Sequence, residues 1–243
     1  MNANFSSVIR LSGRRNVVIS CAAGMKMLEN PIEFGPIVFP PGEQNLLPPV
    51  PKAPFFDPGK REVAKYATKR LIEIRGPELV HTKLVHRQYG LRAKLGGFLH
   101  HHHFESIRKS VNPRLDDKTF AIWRVDPPWL PRTKVPQGMK LGGGKRSIHH
   151  YVTPVRAGRI IVELGGHVTV DQALRMLCNA AKTLPMPAEM VSQADLAEEE
   201  EREKFIAENN LNKFTWEYIM KWNMQNCYRW LSPYDYIWKG RYR

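Results

Sequence analysis

The chain has 243 residues, 42% of them apolar, and carries a formal charge of +14 from 37 basic and 23 acidic side chains. That is enough for one ordinary domain with extensions or for two small domains, and no apolar run is long enough to span a bilayer. The surplus is concentrated: residues 59–160 hold 22 basic and 7 acidic side chains, against 5 and 4 in residues 1–58 and 10 and 12 in residues 161–243. So dense a cationic stretch repels itself unless a polyanion neutralises it, which points to nucleic acid, with a basic surface kept for solubility as the plainer alternative.

Residues 1–28 contain Arg10, Arg14, Arg15, Lys26 and four serines and no acid before Glu29. That composition fits a mitochondrial transit peptide as well as an ordinary basic terminus, and import is the favoured reading. Residues 29–69 include a proline-rich arm from Pro31 to Pro58. Proline lacks an amide donor and has a fixed φ, so this arm is expected to be an extended strap, with Ile37, Val38, Phe39, Phe55 and Phe56 laid on another surface.

The folded part is expected from Arg70. Leu71–Ile74 and Leu79–Val85 read as short strands, and Gly90 and Gly96-Gly97 punctuate the next segment. Phe104, Ile107 and Val111 recur at helical spacing, which predicts a helix over 104–111. Residues 119–125 alternate as a strand that Asp126-Pro127-Pro128 ends. A polar, glycine-rich, acid-free loop is expected over 129–145, then a hairpin of 148–155 and 158–164 around Ala157-Gly158. Residues 170–184 read as an amphipathic helix with Ala173, Leu174, Leu177, Ala180, Ala181 and Leu184 on one face, stopped by Pro185 and Pro187. Residues 195–210 look like an acidic, solvated helix. The tail from Phe214 is rich in Trp and Tyr, suited to packing on the core or a neighbour, or to stacking on bases. Mixed strands and helices in this order predict an α+β fold, a compact two-layer sandwich.

Motifs for chemistry are weak. Cys21, Cys178 and Cys227 are far apart and form no CxxC pair, so neither a disulfide framework nor a zinc knuckle is indicated. Four consecutive side chains, His100–His103, diverge around the backbone and lack Cys or carboxylate partners at ligand spacing, so no metal site is expected. Gly142-Gly143-Gly144-Lys145 resembles the end of a phosphate loop, but Met139 stands where the first glycine belongs and Arg146 where Ser or Thr belongs. A glycine-rich backbone carrying cations still suits close approach to phosphates. There is no GxSxG elbow and no HExxH, and the chain is not expected to be an enzyme or to carry a cofactor.

Four ordered motifs bear a family resemblance over residues 78–192. They are Gln88-Tyr-Gly-Leu-Arg-Ala93, Phe120-Ala-Ile-Trp-Arg-Val125, Leu141-Gly-Gly-Gly-Lys-Arg-Ser-Ile-His-His-Tyr-Val-Thr-Pro-Val-Arg-Ala-Gly-Arg-Ile-Ile-Val-Glu-Leu-Gly-Gly166 and Ala180-Ala-Lys-Thr-Leu-Pro185. Together they resemble the universal large-subunit ribosomal protein sixteen family (bacterial L-sixteen). The endings Leu231-Ser-Pro-Tyr-Asp235 and Lys239-Gly-Arg-Tyr242 are similar to its mitochondrial forms. The resemblance implies a hammerhead-like sandwich among rRNA helices near the peptidyl-transferase centre, with a loop, here Arg132–Arg146, reaching toward the aminoacyl-tRNA site. Two departures stand in that loop: Lys140 stands where the family has arginine, which removes a guanidinium contact there, and Gly143 replaces a lysine, which leaves fewer charges at the tip.

The resulting expectation is a structural subunit of the mitochondrial large ribosomal particle, in the mitochondrial matrix, with residues 70–192 as its RNA-binding domain. Arg87, Arg92, Lys94, Arg156 and Arg159 are the expected rRNA contacts, because few acids lie near them in sequence to pair with them. Arg132, Lys134, Lys140, Lys145 and Arg146 are the expected tRNA-side loop. Expected partners are large-subunit rRNA, tRNA and, through the N-terminal arm and a C-terminal extension of residues 193–243, neighbouring mitochondrial ribosomal proteins. A free basic RNA-binding regulator and an RNA-modifying enzyme are the alternatives, and sedimentation through high salt separates them from a subunit that stays with large particles.

Overall fold

The computed structural model describes residues 39–40, 45–55, 70–135, 137–139, 142 and 146–242, all within one unit spanning 36–243. The segment read as a transit peptide and the tip residues Lys140 and Lys145 lie outside the described residues.

Among the described residues seven strands form two antiparallel sheets. The first holds β1 (Tyr89–Ala93), β3 (Thr119–Trp123), β6 (Ile160–Gly166) and β7 (Ala188–Ser192), in the order β3-β6-β1-β7. The second holds β2 (Gly97–His100), β4 (Leu130–Thr133) and β5 (Ile148–Val155), in the order β2-β5-β4. β6 is buried along its whole length because it is central and covered on both faces. Two helices complete the core: α1 (His101–Val111), which buries Phe104, Ile107 and Val111, and α2 (Val170–Lys182). α2 packs on β1 and β7, α1 packs on α2, and the Phe104 ring meets Trp123 of β3 edge-on at 5.2 Å between centroids. This is the α+β sandwich expected from the order of elements.

Several expectations need correction. Leu71–Glu73 is a short 3-10 turn and 79–85 is irregular, with no partner strand for either. Of the apolar residues there Leu84 is buried and covers Gly90, where an added Cβ would meet its side chain at 2.6 Å, while Leu71, Ile72, Leu79, Val80 and Val85 are exposed. The expected hairpin at Ala157-Gly158 is instead a crossover, since β5 pairs only with β2 and β4 while β6 pairs with β1 and β3. Gly158, at φ +90°, turns the chain from one sheet into the other, and its amide donates to Ala93 O at 2.7 Å. The loop expected over 129–145 opens with a strand, β4, whose Arg132 lies across from His150. On α2 the buried stripe is Ala173, Met176, Leu177 and Ala180, and Leu174 sits outside it, 46% exposed.

The described part of the arm straps the sheet at β3. Asn45 O accepts from the Ala121 amide at 3.0 Å, and the indole of Trp123 donates to Pro48 O at 3.0 Å. Leu47 is buried in the main core, and its amide and carbonyl are both held by the Asn112 side chain at 3.1 Å. An edge strand is thereby covered rather than left open to another chain.

Beyond β7, Ser192 caps α3 (Gln193–Glu208), which buries no residue, as an acidic solvated helix should. The tail forms α4 (Trp216–Lys221), a 3-10 turn over Met224–Arg229 and α5 (Pro233–Trp238), with Lys239 paired to Glu217. Met220, Cys227 and Asp235 are buried there, while Leu211, Phe214, Trp222, Trp230 and Ile237 remain exposed. Among the described residues no helix is long and apolar enough to cross a membrane.

Candidate nucleic-acid interface

The chain passes between the two sheets at several links, and two of them, between β1 and β2 and between β5 and β6, lie together. The second crossing folds back on the first: the Ala93 amide donates to Arg159 O at 2.9 Å. Arg92, Lys94, Arg156 and Arg159 therefore gather at one corner. Arg132, Lys134 and Arg146 lie at the far end of β5, whose eight residues at the usual strand rise separate the two groups by roughly 26 Å. Arg87 stands apart, exposed in the turn before β1 at φ +55°.

Carboxylates intrude on the corner. Arg92 forks onto Glu199 of α3 at 2.6 and 2.9 Å and reaches Glu189 of β7 at 2.7 Å, and Lys94 meets Glu189 at 2.6 Å. Hydrogen bonding to Glu199, against the opposing effect of burial, raises the Arg92 pKa further. Burial pushes the Glu189 carboxyl up, but hydrogen bonds from Lys94 and Arg92 outweigh it and hold the group below its ordinary range. Arg159 lies 3.7 Å from Glu78 and 3.6 Å from Asp126, and only 14% of its side chain is exposed. The expectation that these arginines lack acidic partners is thus corrected: Glu189 and Glu199 come from about a hundred residues downstream, where no local count sees them. Arg156 donates to Ile72 O at 3.3 Å, and neither it nor Arg87, Lys134 or Arg146 has a carboxylate at ion-pair distance among the described residues.

Glu163, in the middle of β6, was not among the residues expected to matter. It is fully buried, accepts from the His86 amide at 2.5 Å and lies 3.5 Å from the Arg124 guanidinium. Through His86 it fixes the turn that carries Arg87. A Glu inside a run of Ile, Val and Leu was the available signal, since carboxylates are rarely buried without a partner.

The histidine run divides between neighbours. The His103 ring accepts from the His100 amide at 3.0 Å, closing the first turn of α1, and the His100 ring lies 4.6 Å from that of His150 on β5. His149 and His150 approach to 2.9 Å between Nδ1 atoms. Burial, reinforced by neighbouring imidazoles, lowers the pKa of His100, His103 and His150. Among the described residues no group of three or more His, Cys, Asp or Glu side chains is placed to hold a metal ion.

Cations without an ion pair among the described residues, Arg156 at the sheet corner, Arg87 in the turn before β1, and Lys134 and Arg146 flanking the loop between β4 and β5, suit contact with phosphates. The model of the family described as ribosomal protein L16p/L10e matches residues 61–191, more than half of the chain, and the chain belongs to that family. It is similar to large ribosomal subunit protein uL16 of Neorickettsia sennetsu, 33% identical over 106 residues that make up 44% of this chain and 75% of that protein. The protein of the same name from Salinibacter ruber is 30% identical over 110 residues, 45% of this chain and 75% of its own length.

Proposed function

We propose that this protein is a structural constituent of the mitochondrial large ribosomal subunit that holds large-subunit rRNA and supports tRNA positioning. The observation that carries the reading is a coincidence of extents: the family match over 61–191 covers nearly all of the cationic stretch at 59–160. Its role is positional. Cations displace counterions from phosphates, while the sandwich fixes where those cations stand.

Arg87 and Arg156 take phosphates directly, and Arg92, Lys94 and Arg159 hold together the corner from which Arg156 projects. Lys134, Lys140, Lys145 and Arg146 form the tRNA-side loop, with Arg132 at its root. The mitochondrial assignment is supported by residues 1–28, with no acid among them, and by extensions on both sides of the matched region. The exposed aromatic and aliphatic side chains of the tail, from Leu211 to Ile237, suit contact with neighbouring ribosomal proteins. The test is to express the tagged full chain and follow it through import and a high-salt gradient. It should enter the matrix and sediment with the large subunit; a slow-sedimenting fraction in high salt would favour a free regulator or an enzyme.

A further inference from the structure

We propose that the outer face of the three-stranded sheet carries a phosphate pocket, built by Arg132, His150 and His100, that takes one backbone phosphate of RNA. This rests on the ribosomal reading above and adds a specific site to it.

Register builds the pocket. Arg132 of β4 lies across from His150 of β5, and Val152, two residues on, lies across from both Leu130 and His100. Strand alternation then places Phe98, His100, Arg132 and His150 on the face opposite the core residues Leu99 and Val155. A cavity of about 350 Å³ opens there, lined by Arg70, Phe98, His100, Arg132, Thr133 and His150 together with Leu71 and Val152. Among the described residues no carboxylate lines it.

The guanidinium of Arg132 stacks on the Phe98 ring, 4.2 Å from its centroid. Stacking fixes the plane of the fork and leaves its N–H edges for a planar pair of oxygens. One of those donors, Nη1, is shielded from solvent and has no hydrogen-bond partner. A buried donor left unmade is costly, and a phosphate oxygen would satisfy it with a charge-assisted bond. His100 also stands at the start of α1, an eleven-residue helix without an acid in its first turn, so the positive end of that helix lies beside the pocket.

The occupant is polymeric because the cations continue beyond the pocket. Exposed Lys134 follows Arg132 out of β4, and Arg146 precedes β5, a track that a chain of phosphates can use and a single free anion cannot. The charge state fits as well. His150 faces His100 from β2, Arg132 and Lys134 from β4 and its extension, and His149 on its own strand; these and its burial favour the neutral ring. An entering phosphate reverses that field, so binding takes up a proton and strengthens as pH falls.

The test uses the full-length protein and a large-subunit rRNA fragment in filter binding across a salt series. Wild type is compared with R132Q, H150Q and the exposed α1 control K109Q, each checked for a normal thermal melt. R132Q should bind about 10-fold more weakly and lower the magnitude of the log–log salt slope by about 0.9, the loss of one phosphate contact. H150Q should remove much of the affinity that wild type gains between pH 7.5 and 6, whereas K109Q should change neither quantity. If both pocket variants bind with wild-type affinity, slope and pH response, the pocket does not exist as a phosphate site. Should R132Q leave RNA binding intact yet abolish the imidazole NMR shifts that inorganic phosphate induces in wild type, the site serves a free anion and the RNA occupant is wrong. Wild-type protein without affinity for RNA would overturn the ribosomal reading, and this occupant with it.

Discussion

Arg92→Ala should act on the fold and leave the count of phosphate contacts alone. The side chain is 18% exposed and makes three charge-assisted hydrogen bonds of 2.6–2.9 Å, two to Glu199 and one to Glu189. Breaking a fully buried pair costs about 3–5 kcal/mol, and breaking an exposed one about 0.2–1 kcal/mol. Glu199 is 43% exposed and regains water in the variant, so the loss falls between these limits, about 2 kcal/mol. For a chain of this size that lowers the melting temperature by about 4–8 °C. Thermal denaturation of the full-length protein reads this directly, and an RNA titration over several salt concentrations reads the contacts. An unchanged melt together with a salt slope reduced by about one unit would show that Arg92 faces phosphate and that its pairing with α3 is wrong.

Other outcomes rest on the same structure. Leu47→Ala, which empties a core position filled from the arm, should cost about 2–4 kcal/mol in chemical denaturation; a cost near zero would mean that the strap does not dock. His100, His103 and His150 have folded-state pKa values below the unfolded value, so the unfolded chain binds their protons first. Stability is then fully present above about pH 6.5 and declines as pH falls below it, and H150Q should shrink that decline in denaturant midpoints at pH 7.5 and 5.5. Replacing Lys140, Lys145 and Arg146 together by Ala should leave particle abundance nearly normal and slow peptide synthesis per particle. Unchanged synthesis would reduce the loop to an assembly contact.

Local features were the legible ones in the sequence. Phe104, Ile107 and Val111 announced α1 by spacing alone, and α3 was visible because a helix without an apolar face has only one solvated reading. The strand expected over 119–125 is β3, although its burial does not alternate, since Thr119, Phe120 and Ala121 are all buried beneath the arm and the core. Pairing is not local. A four-residue link after β5 suits a hairpin or a corner between sheets equally well, and only the partners β2 and β4 decide it. Charge failed in the same way, since Arg92 meets acids 97 and 107 residues away. The pocket at Arg132 was hidden because its four ring and guanidinium groups come from three strands, one of them read as loop.

The proposed role is to hold rRNA through cations set on this sandwich. Ultraviolet cross-linking of intact large ribosomal subunits, with the linked peptides identified by mass spectrometry, tests it most directly. RNA-linked peptides should contain Arg87, Arg156 and the loop between β4 and β5, and none should come from the acidic helix α3. Cross-links confined to residues 193–243, or a chain absent from the particle, would contradict that role.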